Sequence, residues 1–133
     1  YFSDMSEVFE MARRGRVWLI GSGTNRSNPI HGADLAVVCA DAIESDDREI
    51  AVGGPQVMTW RKVAKLAFEV LGRPEKVTCI PAWLMWHVVR LVRLFNRHQG
   101  ELLAFFTTMA TTDVVAPPTG THTLQQHFEG VQP

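Results

Sequence analysis

Only two cysteines and one tyrosine occur in the 133 residues. Cys39 and Cys79 are too few for a disulfide framework, so stability must come from a packed core. They read as two buried thiols serving as small hydrophobes, in a reducing compartment such as the cytoplasm. Tyr1 has Met5, not lysine, four residues later, so the sequence has no Tyr-x-x-x-Lys proton-donor pair. An excess of one charge is also lacking. Thirteen basic side chains face fourteen acidic ones, for a net charge of -1. A nucleic-acid partner is therefore not expected, since it would need a basic face. No stretch approaches the roughly 18 apolar residues of a membrane span, and the first residues show no basic flank with an apolar core.

What is present suits a globular α/β chain, with 46% apolar and 20% charged residues. It opens Tyr1-Phe2-Ser3-Asp4 without an initiator Met and enters a helical pattern at once. We therefore expect a piece of a larger protein. Asp4 and Glu7 suit a cap, and Met5, Val8, Phe9 and Ala12 share a face, which predicts a helix over 4–14. The apolar run 17–20 predicts a buried strand. A loop over 21–32 follows, with an extended piece near Asn28–His31 imposed by Pro29. Asp34 is expected to cap a helix whose stripe is Leu35, Val38, Cys39, Ala42 and Ile43. A short strand is expected at 49–52. Thr59 suits the cap of a third helix, with Trp60, Val63, Ala64, Ala67, Phe68 and Leu71 at clean helical spacing and Gly72 as its stop. Residues 77–80 read as a strand or extended link. Pro81 starts a helix over 82–96, Gly100 interrupts, and Leu102, Leu103, Phe106 and Met109 suggest another helix. Leu124 and Phe128 mark a last short one. Two or three short strands are too few for a complete doubly wound sheet.

Chemistry-bearing motifs are sparse. Gly21-Ser22-Gly23 follows a strand, but Arg26 stands where a third glycine belongs, and Asn28-Pro29 prevents a helix from starting there. The glycines read as a tight turn. His122 and His127 are five apart, about 140° around a helix, and His31, His87 and His98 have no ligand-spaced neighbour. No metal site is expected. Gly-x-Ser-x-Gly and Walker sequences are absent, and we assign no catalytic residue. The polar run 26–34 remains. Its plain reading is that Asp34 caps, Pro29 and the glycines turn, and Arg26 is solvated.

The run GSGTNRSNPIHGADLAVVCADAI resembles the "G-x-G…R-x-N-P-I-H…D-L-A" segment of atypical extended short-chain dehydrogenase/reductases. These are the NmrA-like NAD(P)H-binding proteins, which include divinyl-reductase-like enzymes and an accessory subunit of respiratory complex I. EIAVGGPQVMTWRKVAKLAFEVLGRPEKVTCIPAW and DVVAPPTGTHTLQQHF continue the resemblance, in order and spacing, to about residue 129. The resemblance implies that residues 1–133 are a single partial domain, the C-terminal, substrate-side fragment of a Rossmann-like NAD(P)-binding fold. Its N-terminal, cofactor-binding half would be absent. It implies NAD(P) in the full-length parent and none bound by this chain alone. Arg26, Asn28 and His31 would then line the substrate cleft. Tyr1 and Phe2 resemble the stretch passing beside the nicotinamide, which makes them cofactor-side residues. Lys62 departs from the family, which often has Glu on that helix turn. The implied function is the substrate-side part of an NAD(P)H-dependent oxidoreductase acting on a small molecule. The alternative is a non-catalytic relative serving as redox sensor or assembly factor.

Residues 82–97 leave two readings open. Trp83, Leu84, Val88, Leu91, Val92 and Phe95 form a wide apolar surface beside His87, Arg90, Arg93 and Arg97. An ordinary packed helix would bury that surface and leave the arginines in water. A docking helix would present it to an anionic membrane surface or a protein partner.

Overall fold

The computed structural model of the protein describes residues 1–131, the side chains of Ser3 and Asp4 excepted. Six helices and four short strands make a mixed α/β arrangement among them. Helix α1 spans Phe2–Arg13. It starts before the expected cap Asp4, whose side chain lies outside the described residues. Strand β1, Val17–Ile20, pairs in parallel with β4, Val77–Ile80, in the register Val17–Val77. Helices α2, Gly32–Ala42, and α3, Trp60–Val70, lie in the crossover between them.

The core lies between α1, α3, β1 and α6, Leu124–Val131. The α3 stripe packs as its spacing requires, with Val63, Ala64, Ala67 and Phe68 buried, and the Thr59 hydroxyl accepts from the Lys62 N–H as the cap. Strand β1 is not buried on both faces as expected. Val17 and Leu19 enter the core, while Trp18 is half exposed beneath the Arg16 guanidinium. The β1–β4 pair is two-stranded, and the helices cover one side of it.

Other expectations need correction. Residues 49–52 form no strand and are largely exposed. Only Gly53 pairs, through a bridge to Pro118. The α2 stripe does not form an inward face, since Cys39 and Ile43 are exposed. Cys79 is half-buried and packs against the core as a small hydrophobe, while Cys39 does not. Gly100 interrupts nothing. Helix α4, Ala82–Phe95, ends at Asn96, whose extended backbone (φ -148°) breaks the chain direction. The Asn96 side chain then caps α5, Arg97–Thr111, accepting from the Gln99 N–H at 3.2 Å.

Candidate functional site

The segment 26–34 is held by two distant pieces of chain. Strand β2, Arg26–Ser27, pairs antiparallel with β3, Met58–Thr59. On its other side runs the extended segment 113–119, bridged at Ser27–Val114. Asn28 is buried, and its amide is fully used. Nδ2 donates to the carbonyls of Gly54 (3.1 Å) and Ala116 (2.8 Å), and Oδ1 accepts from the Ala116 N–H (3.0 Å). A Cβ on Gly53 would overlap that amide, and one on Gly54 would overlap the Pro29 carbonyl. Gly53-Gly54 is thus glycine because Asn28-Pro29 lies directly against it.

Arg26 sits at the exposed rim. Its backbone N–H and its Nε donate to Asp113, at 2.8 and 2.9 Å. These bonds, the backbone one foremost, hold the Asp113 carboxyl below its ordinary pKa.

His31, not Asp34, caps α2. Its Nδ1 accepts from the Ala33 N–H at 3.2 Å. Asp34 is instead buried in the first turn and receives three bonds from the approach to α6. The backbone N–H groups of Thr121 and His122 donate to Oδ2, both at 3.1 Å, and the His122 Nδ1 bonds Oδ1 at 2.8 Å. Gly120, at φ +84°, makes room, since a Cβ there would overlap the carboxylate. The His122 hydrogen bond is the main reason the Asp34 pKa is lowered.

Three histidines that looked isolated in sequence meet here. His31 stacks on His122 at 4.4 Å between ring centres and stands edge-on to His127 at 6.0 Å. Phe2 closes the group, 5.6 Å from His31 and 5.5 Å from His127. His127 Nε2 shares a 3.1 Å hydrogen bond with the Ser6 hydroxyl. Burial, and secondarily the nearby His31, lowers the His127 pKa. Residue spacing could not reveal this group, because His31 and His122 belong to segments far apart in the chain that tertiary contacts bring together. Among the described residues no set of three His, Cys, Asp or Glu could hold a metal ion.

A cavity of about 410 Å³ opens on the other side of the Asn28-Pro29 wall. Its walls are mostly apolar, with Met5 of α1, Leu35 of α2, Trp60 of α3 and Phe105, Phe106 and Met109 of α5. Tyr1 and Asn28 also line it. The Trp60 indole N–H is buried with no hydrogen-bond partner among the described residues. Of the expected site residues, Tyr1 and Asn28 thus share the cavity. Phe2 and His31 meet behind it, and Arg26 is exposed and does not line it.

The glycine turn after β1 is committed elsewhere. The Arg61 backbone N–H donates to the Gly23 carbonyl (3.0 Å), and Arg61 Nε donates to the Ser22 carbonyl (2.7 Å). No helix follows the turn to point its N–H groups at a pyrophosphate. This turn is therefore built around the Arg61 side chain and backbone.

The sequence matches no protein-family model and no curated protein. Among solved structures the chain is similar to a GDP-mannoheptose C4 reductase from Campylobacter jejuni with NADP bound. The identity is 17% and the TM-score 0.46, over 60% of this chain and 33% of that one. The chain thus spans about a third of that reductase's length. No helix among the described residues is long and apolar enough to cross a membrane.

Proposed function

We propose that these residues are the substrate-side portion of an NAD(P)H-dependent oxidoreductase of the atypical short-chain dehydrogenase/reductase family. In this reading they belong to a longer, cytoplasmic Rossmann-like protein whose N-terminal half holds the dinucleotide. The observation that carries it is the apolar cavity of about 410 Å³ against the very segment that bears the family resemblance. Its mostly apolar walls suit an apolar carbonyl compound. Asn28 acts as a positioning residue, holding the wall through its three hydrogen bonds. Arg26 and His31 flank that wall, and Tyr1 and Phe2 lie on the cofactor side.

The test uses the full-length protein carrying this sequence, titrated with NADPH by fluorescence and assayed with phenanthrenequinone as a carbonyl probe. NADPH should bind and be consumed. Phe106→Ala, which removes part of the apolar wall, should raise the KM for the quinone about tenfold and leave NADPH affinity unchanged. Absence of NADPH binding overturns the reading. NADPH binding without reduction of the probe selects the non-catalytic alternative.

A further inference from the structure

Helix α4 packs by a face that shares only Val92 with the apolar surface read from its sequence. Ala82, Met85, Val89 and Val92 share one side of the helix at 100° per residue. That side meets α5, with Val89 fully buried. The wider apolar face looks outward. Phe95 is 85% exposed, Leu94 80% and Trp83 65%, with Leu84 and Leu91 between them. Among the described residues most of this surface is not buried on the core, while the arginines Arg90 and Arg97 face water as a packed helix would have them. On α5, Leu102 is also exposed, while the exposed Phe105 and Phe106 belong to the cavity. A helix face this apolar and this exposed marks a place where something docks.

Charge selects the partner. From Lys76 to Gly100 the chain carries Lys76, Arg90, Arg93 and Arg97 and no acidic residue, although its net charge is -1. Arg93 is held by Glu101 at 3.0 Å. Arg90 and Arg97 are exposed. Arg90 follows Trp86 by four positions and Trp83 by seven, so it borders the apolar face instead of opposing it. Tryptophan and arginine beside an aliphatic face suit the headgroup layer, where the rings sit at the boundary and the cations meet lipid anions.

We propose that the α4–α5 hairpin seats on an anionic membrane surface. Trp83, Leu91, Leu94 and Phe95 enter the boundary of the acyl chains, and Arg90 and Arg97 pair with anionic headgroups. Helix α4 has 14 residues, about 21 Å at 1.5 Å per residue, so it lies in the interface and does not span. The inference does not depend on the oxidoreductase reading, and its test uses no substrate or nucleotide.

The experiment is co-sedimentation of the full-length protein with phosphatidylcholine vesicles, with and without phosphatidylserine. Trp emission is read in parallel against brominated acyl chains. Binding should require phosphatidylserine and weaken with salt. Arg90→Gln with Arg97→Gln should reduce affinity roughly 30-fold, about fivefold per arginine. Leu94→Glu with Phe95→Glu should abolish binding and bromine quenching. All four positions are exposed, so thermal melts of the variants should match the parent. Failure to bind anionic vesicles at low salt overturns the proposal. Equal binding to neutral vesicles does so as well. So does a concentration-dependent dimer without vesicle binding, which would make the occupant a second copy. Unquenched tryptophans would mean that the rest of the protein covers the face.

Discussion

Phe68 and Phe95 occupy helices with similarly regular apolar stripes, yet one is 1% exposed and the other 85%. Around Phe68 the stripe of α3 meets α1, β1 and α6, and Phe9 packs on Phe128 with ring centres 5.0 Å apart. Around Phe95 the outward face of α4 is largely exposed among the described residues. Periodicity reveals that a helix has an apolar face and where it lies. It carries no information about whether that face belongs to the protein's own core.

The contrast can be broken most directly by truncating each ring. Phe68→Ala should cost about 3–5 kcal/mol in urea unfolding, because the closed core cannot collapse around the void. Phe95→Ala should stay within about 0.5 kcal/mol, as for other surface changes. A comparable loss at both positions would mean that Phe95 is covered in the full-length protein.

The cavity wall between core and hairpin should respond next. Asn28→Ala leaves one buried N–H and two carbonyls unpaired and should cost about 2–4 kcal/mol. Asn28→Asp should be nearly as damaging, since a carboxylate cannot donate to the Gly54 and Ala116 carbonyls. Arg26→Ala removes an exposed ion pair and should cost under about 1 kcal/mol. Equal and small losses at both positions would show that the wall does not depend on the Asn28 amide.

The smallest effect is a two-stage response to acid. The His127 pKa is lowered in the folded state, so the unfolded chain takes up that proton first. Its contribution is complete above about pH 6.5 and declines below it. Asp34 is also lowered, by its His122 bond, so its contribution holds above about pH 4 and is lost as pH falls through the folded value. Melting temperature against pH should show both stages. His127→Gln should remove the upper one and Asp34→Asn the lower. An unchanged profile in either variant would dissociate that group from stability.

Local grammar was readable wherever a residue acts on its neighbours. The Thr59 cap, the α3 stripe, the Gly72 stop and the bounds of β1 and β4 follow from side chains within a turn of one another. The errors fall where a distant partner decides. Asp34 has the chemistry of a cap, but the Gly120–His122 backbone claims its carboxylate and leaves the cap to His31. Residues 49–52 have strand-like composition, yet only Gly53 finds a neighbour. Two features of the site, the histidine group and the orphan Trp60 N–H, had no signature in sequence spacing. Gly53-Gly54 did carry one, since two glycines before proline announce a close approach, though not what approaches.

Arg26, Asn28 and Asp34 all reach partners 87 or 88 residues further along the chain. Loop closure over such a distance is slow, and nothing is gained from it until both ends are present. During synthesis, β1 can find β4 and α1 can find α3 once residue 80 has emerged. The cavity wall must wait for residues 113–122. The cavity wall therefore closes after the hairpin is complete, and α6 follows it.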